Sequence, residues 1–392
     1  MKILFVHNSY QHVGGEDTVL QAEIRLLTKN GQEVCLAGRD NQSIDSIFAK
    51  LNAFKGVVYS KFAKLWMAEQ IKQYQPDIVH VHNFFPLLSP SIYDACIEAA
   101  VPVIQTLHNY RTICPGALLM RGGQVCELCV SGSPYQAILH RCYKNSIPGT
   151  FAVAKMVFYH RSKGTWREKV DRFIALTDFA KNKFVEAGFP EEKIVVKPNF
   201  VEDPLNIKSK GLREAKAFFV GRISREKGVS GLMSAWDHLN YPLLLAGDGP
   251  EFEGLKNSCD NNAITFLGTQ SKEQVYDLMT HSQFLVMPSI WYEGFPMVLV
   301  EAFAHGLPVI CSRLGGMAEI VEDGVTGLHF EAGNADDLAK KVRWMIAHLE
   351  ECEQMGKNAR LEYEKKYTPE KNYEMLMDIY QQAIDSNEVV SR

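Results

Sequence analysis

No stretch of 18 or more consecutive apolar residues occurs in the 392 residues, so the sequence offers no candidate for a membrane-spanning helix. Internal repeats and low-complexity tracts are also missing, which leaves no basis for a repeat architecture or a disordered tail. The first apolar run ends in Phe5-Val6-His7-Asn8-Ser9-Tyr10, which has none of the glycines of a dinucleotide-binding fingerprint, and a Rossmann dehydrogenase is set aside. The opening residues, Met1 to Asn8, turn polar too soon for a signal peptide, so they read as a first strand and the expected location is the cytoplasm. Nine cysteines in a cytoplasmic setting argue against a disulfide framework. No nucleic-acid partner is expected.

A chain of 392 residues exceeds the size at which one core stops growing, so two domains are expected. Strand-like and helical runs alternate throughout, the mark of α/β layers with parallel sheets. Lys2–His7, Gln32–Ala37, Asp77–His82, Val103–His108, Arg172–Leu176 and Lys193–Lys197 form one series of strands. A boundary at Pro198-Asn199 separates them from a second series at 216–220, 242–246, 263–267, 284–288 and 308–311. The expected domains are therefore 1–198 and 199–369, followed by amphipathic helices, the last at about 370–388. Residues 1–198 hold 23 Lys and Arg against 17 Asp and Glu, a balance of +6 that leaves −10 for the remainder. Lys50, Lys55, Lys61, Lys64 and Lys72 face a single Glu69 and interleave with Phe54, Tyr59, Phe62 and Trp66. Two readings stand: a basic helix lying peripherally on an anionic membrane, or a solvated helix packing its aromatic stripe inward.

The chain is organised around Trp291-Tyr292-Glu293-Gly294-Phe295-Pro296-Met297-Val298-Leu299-Val300-Glu301. The run 283–288 reads as a buried strand and Met297–His305 as a helix, which puts Glu293 on the turn between them. A helix start presents free N–H groups and partial positive charge to a phosphate, and the carboxylate beside it can only accept hydrogen bonds, which suits hydroxyls. One anion and one polyol point to a sugar nucleotide. Pro296 brings no N–H, so the amides of Phe295, Met297 and Val298 are the expected donors. A second signature, Val220-Gly221-Arg222-Ile223-Ser224-Arg225-Glu226-Lys227-Gly228, ends a strand in glycine and follows with two cations five apart. Arg supplies a planar fork and Lys a point charge, together enough to neutralise a diphosphate.

The pair Glu293-x7-Glu301, with Gly294-Phe295-Pro296 between and Gly306-Leu307-Pro308-Val309-Ile310 and Gly315-Gly316 after, resembles the retaining GT-B glycosyltransferases of family 4. The resemblance implies two Rossmann-like domains facing across a cleft, with the last helix packing back on the first domain. It implies that Glu293 holds the donor sugar and Glu301 the nucleotide ribose. Arg222 and Lys227 would stabilise the departing diphosphate in place of a catalytic metal, beside Gly221. In the first domain Gly14-Gly15 would lie under the donor phosphates, and His108 would be the active-site histidine touching the donor sugar. His82 and Asn83, at an equivalent strand end, are expected to line the acceptor pocket. No acidic residue of the matched first-domain motifs is placed as a nucleophile, and Glu16 reads as a helix start, so front-face substitution is favoured. The expected reaction transfers a hexose from a UDP-sugar, or a GDP-sugar, to a glycan or lipid-linked acceptor in polysaccharide synthesis. A nucleotide-sugar epimerase or another GT-B enzyme without a glycan acceptor is the alternative. Cys114, Cys126, Cys129 and Cys142, spaced C-x11-C-x2-C-x12-C, could hold a structural Zn²⁺ or could be free thiols in a surface excursion.

Overall fold

The computed structural model describes residues 1–9, 14–40, 56–204 and 213–390. They divide into two compact units, one of Met1–Arg121, Cys126–Asn199 and Asn372–Arg392, the other of Gly122–Val125 and Phe200–Lys371. In the first, strands β1 (Lys2–Ser9), β2 (Glu33–Asp40), β3 (Ile78–Asn83), β4 (Val103–Thr106), β5 (Arg172–Ala175) and β6 (Ile194–Val196) make one six-stranded sheet. The order is β2-β1-β3-β4-β5-β6 and every pairing is parallel. Residues 78–83 of β3 are all buried, as expected where helices cover both faces of a parallel sheet.

The second unit repeats the plan with β7 (Ala217–Val220), β8 (Leu243–Ala246), β9 (Ile264–Gly268), β10 (Phe284–Met287), β11 (Val309–Ser312) and β12 (Gly327–Phe330). Its parallel order β9-β8-β7-β10-β11-β12 reverses direction between β7 and β10, which opens a crevice beyond their carboxyl ends. Two Rossmann-like α/β domains are thus present, as the alternation of strands and helices implies. The strand β12 is an addition to the expected series. The helix Ile147–Ser162 escapes a sequence reading: its buried face and its exposed face are both apolar, so no amphipathic signal exists.

The basic helix runs from Lys61 to Tyr74, capped by Ser60, and buries Ala63, Met67 and Ile71. The aromatic stripe therefore does not pack inward: Phe62 is 65% exposed and Tyr59 lies outside the helix. Arg39 instead covers the rings of Phe62 and Trp66, at 5.1 and 5.3 Å. Lys50, Phe54 and Lys55 fall outside the described residues.

Helix Gly15–Lys29 packs on the first sheet through Val19, Leu20, Leu26 and Leu27, and Glu23 sits in the same buried stripe. A carboxylate there needs a partner, and Lys197, fully buried just past β6, supplies one with Nζ 2.8 Å from Glu23 Oε1. Lys197 also donates to Asn372 Oδ1 at 3.1 Å, and Asn372 donates to the Pro198 carbonyl at 2.7 Å. The last helix, Pro369–Val390, is tied to the first unit at these points and again where Tyr380 Oη meets His80 Nδ1 at 2.9 Å. Burial alone would raise the Glu23 pKa, but Lys197 and then His82 outweigh it and hold the carboxyl well below its ordinary value. Its stabilising contribution is complete above the ordinary carboxylate range and fades as pH falls through the lower folded value. Lys197→Met should cost about 3–5 kcal/mol in urea unfolding at neutral pH, because an uncompensated charge stays behind. Combining it with Glu23→Gln should recover part of that loss.

Candidate active site

The two cation and carboxylate signatures of the second unit meet at the crevice between β7 and β10. The loop after β7 leaves the sheet through Gly221, and the loop after β8 crosses it so closely that a Cβ on Gly247 would lie 1.9 Å from the Gly221 carbonyl oxygen. Gly247, at φ +130°, and Gly249, whose Cβ would meet the Ile223 carbonyl at 2.3 Å, are required by this crossing. The chain then forms a short 3-10 turn, Arg225–Lys227, and reverses at Gly228 (φ 69°), where a side chain would strike the Pro288 carbonyl. The result aims Lys227 at the turn after β10: its Nζ is 2.7 Å from Glu293 Oε1. Ser289 Oγ at 2.7 Å and Trp291 Nε1 at 3.0 Å donate to the same oxygen. Three donors saturate Oε1 of this 5%-exposed carboxylate and leave Oε2 without a partner among the described residues.

Arg222 is exposed and makes no ion pair or hydrogen bond among the described residues. Helix Met297–Ala304 begins after Pro296, which occupies the N-cap position with no side-chain cap. At the N-cap the proline brings no N–H, so the helix start presents one free donor fewer, the deficit expected from the sequence. Leu299 N–H turns back to the Pro296 carbonyl at 3.0 Å, while those of Met297 and Val298 find no partner among the described residues. Phe295 precedes the helix, its ring 6.2 Å from that of Tyr367. Glu301, one helix turn further, has a carboxyl raised by burial, against which Lys272 acts, and no side-chain partner among the described residues. The buried hydroxyl of Tyr276 beside it is likewise unpartnered.

In the first unit the strand ends carry a buried chain of side chains. His108, just past β4, places Nε2 2.8 Å from His82 Nδ1, and His82 Nε2 lies 3.3 Å from Glu23 Oε2, in ion-pair range without the alignment of a hydrogen bond. Glu23 is ionised against Lys197 and can only accept, so His82 carries its proton on Nε2 and accepts at Nδ1 from His108. His108 keeps its own Nδ1 as a bare lone pair, and burial, reinforced by His82, holds its pKa well below the ordinary histidine value. His82 and Asn83 border a small pocket beside His108, with Phe85, Arg111 and Thr112. Their polar atoms, though, are committed inward: Asn83 donates to the Asn8 carbonyl at 2.7 Å and accepts from Phe85 N–H at 2.9 Å. Geometrically, His82 holds His108 in place.

The glycine loop is set by Asp17, whose carboxylate accepts from Gly14 N–H at 2.8 Å and meets His7 Nε2 at 2.9 Å. A Cβ on Gly15 would touch nothing within 4 Å, so the protein's own packing does not demand that glycine. Glu16 is more than a helix start. Burial and then the neighbouring Asp17 push its carboxyl up to about 8, although Asn109 and Arg111 act the other way, and Oε1 is buried without a partner. Sequence signals for these residues exist: Glu23 interrupts an apolar stripe, and Lys197 ends an apolar strand.

The four clustered cysteines are all free thiols. Burial, with Cys114, Cys142 and Cys126 adding, raises Cys129 to about 12, and Cys142 is raised too. Among the described residues no three of their sulfurs approach within 4.8 Å of one another, so the structural zinc is not supported. The group that does is Glu23, His80 and His82. It does not fit a metal: the Lys197 ammonium already lies on Glu23, and His80 faces Tyr380 and Thr106 with its two ring nitrogens.

Residues 13–203 match the family described as Glycosyltransferase Family 4, and residues 203–362 match Glycosyl transferases group 1. With the two parallel-sheet domains, the chain is a glycosyltransferase of the GT-B type. An uncharacterized glycosyltransferase of Methanocaldococcus jannaschii is 27% identical over 98% of this chain and 99% of that protein. Sucrose-phosphate synthase of Thermosynechococcus elongatus shares the fold at a TM-score of 0.71 and 18% identity, covering 98% of this chain and 99% of that one. The Anabaena protein HepE in complex with UDP does so at 0.69 and 18%, covering 99% and 100%.

Two measurements address this geometry. Nitrogen-15 shifts of the imidazoles should show His108 protonated at Nε2 and bare at Nδ1, and Glu23→Gln should disturb that single tautomer. Wild-type protein should lose stability as pH rises from the ordinary carboxylate range to about 8, because the unfolded chain releases the Glu16 proton first. Glu16→Gln should remove this slope, so its advantage in Tm grows through that window and levels off above it.

Proposed function

We propose that the chain is a retaining glycosyltransferase that moves a hexose from a nucleoside diphosphate sugar to a glycan or lipid-linked glycan in polysaccharide synthesis. The observation that carries this reading is the contact of Lys227 with Glu293, 2.7 Å apart at the reversal point of the second sheet. A cation suited to a diphosphate and a carboxylate suited to sugar hydroxyls are there one hydrogen bond apart. Glu293 Oε2, free of protein donors, takes hydroxyls of the donor sugar. The amides of Met297 and Val298 take phosphate oxygens, and Glu301 accepts from the ribose. UDP is the favoured nucleotide, since HepE, which shares the fold, has been obtained with UDP and with UDP-glucose. GDP is the other candidate.

In the transfer the bond from the anomeric carbon to the leaving phosphate oxygen breaks, and a bond to the acceptor hydroxyl oxygen forms on the same face. The acceptor proton passes to that phosphate oxygen, and the products are the glycoside and the nucleoside diphosphate. Arg222 and Lys227 disperse the charge developing on the diphosphate, a task for which no metal is proposed. His108 accepts a sugar hydroxyl at its bare Nδ1. Gly15, with open space where a side chain would stand, lets the backbone approach the donor phosphates. Cytoplasmic work at the inner face of a membrane would suit a lipid-linked acceptor.

Glu293→Ala should lower kcat by roughly 100-fold through lost positioning while nucleotide affinity changes little. Glu301→Ala should weaken nucleotide binding by roughly ten- to hundredfold, equivalent to one or two charge-assisted hydrogen bonds. Calorimetry with UDP and GDP beside steady-state rates separates the two, and the reverse pattern overturns the roles. An inverted product anomer by proton NMR would sink the retaining assignment.

A further inference from the structure

Helix Ile147–Ser162 buries Ala152, Val153, Met156 and Val157 on its inner face. Its outer face, which a helix on a water-exposed surface normally makes polar, is exposed at Ile147, Phe151, Lys155, Phe158 and Tyr159. These positions follow i, i+4, i+8, i+11 and i+12, a single stripe with one cation at its centre. The stripe is extended by the Cys-bearing insert. Arg161 donates to the carbonyls of Cys129 and Gly132, each at 2.9 Å, and pins the insert to the helix. Tyr135 of the insert sets its ring 6.1 Å from Phe151 and 5.3 Å from Phe158, and Leu139 is 83% exposed nearby in the chain.

Charge says what covers this face. Between Glu127 and Glu168 the chain holds no Asp or Glu and six cations, Arg141, Lys144, Lys155, Arg161, Lys163 and Arg167, in a protein whose acids outnumber its bases 46 to 42. We propose that this face docks flat on an anionic lipid bilayer, with the aromatic stripe in the interfacial layer and the cations other than Arg161, which holds the insert, at the headgroups. Aromatic residues favour that layer, and lysines such as Lys155 lay their stems along apolar surface while the ammonium reaches the phosphates. A 16-residue helix is too short to span the hydrocarbon core, so the contact is peripheral. A second copy fits this face poorly, because a twofold interface would set the same acid-free cations against themselves. The inference deepens the lipid-linked acceptor reading and does not depend on the donor assignment.

The test is flotation of the full chain with vesicles of phosphatidylcholine alone and of phosphatidylcholine mixed with phosphatidylglycerol. Binding to the mixed vesicles, weaker in high salt and absent on phosphatidylcholine alone, is expected. Lys155→Glu should weaken it at least about tenfold, from two units of charge at the surface. Phe151→Ser combined with Phe158→Ser should abolish it, with the melting temperature and hydrolysis of free nucleotide sugar unchanged. Equal binding to both vesicles, or no effect of these variants, overturns the proposal. So does a dimer by light scattering that the double variant converts to monomer. Vesicle binding needs no donor, so failed donor hydrolysis with intact flotation would count against the transferase reading alone.

Discussion

A single buried ion pair ties together much of the first unit. Glu23 and Lys197 lie inside the apolar layer between helix Gly15–Lys29 and the sheet, where neither charge is tolerable without the other. From Lys197 the contacts run to Asn372 and so to the last helix, and from Glu23 they run to His82 and so to His108. Placement of the last helix and orientation of the candidate active-site imidazole therefore share one electrostatic anchor. The same anchor bears on why three metal-capable side chains cluster without fitting a metal: the ammonium already lies on Glu23, and both ring nitrogens of His80 are engaged by Tyr380 and Thr106.

The second unit reaches its geometry by backbone crossing instead of buried charge. Gly247 and Gly249 let two loops pass within a distance that a Cβ on either would block, and this brings the turn bearing Lys227 against the turn bearing Glu293. Lys227 then stands 5.9 Å over the Trp291 ring as well. The Lys227–Glu293 contact thus rests on short loops held by the ends of rigid parallel strands, where a small shift in a strand would misplace both charges.

Legibility in the sequence followed range. The strand series, helix Met297–Ala304 and the charge signatures at Arg222, Lys227, Glu293 and Glu301 are local patterns, visible because period and spacing within ten residues carry them. His82 could be placed at a strand end, but not its partners, since Glu23 is 59 positions before it and His108 is 26 after it. Glu16 looked like an ordinary first-turn acid because the burial that raises its pKa is a property of the fold, and Asn109 and Arg111, which act against that rise, are remote in the chain. The cysteine spacing suggested a metal, yet spacing states only what the chain permits, and the fold decides how far apart the sulfurs lie.

By itself the sequence determined the class of fold, the order of its strands along the chain and the residue types available to a sugar nucleotide. Those depend on hydrophobic period, turn chemistry and residue spacing, all local properties. Tertiary structure alone decided which charges are paired, which ring nitrogen of His108 is bare, and that the aromatic residues of two helices face outward. Each of these depends on burial, and burial is a property of what lies across the fold, not of the neighbours along the chain.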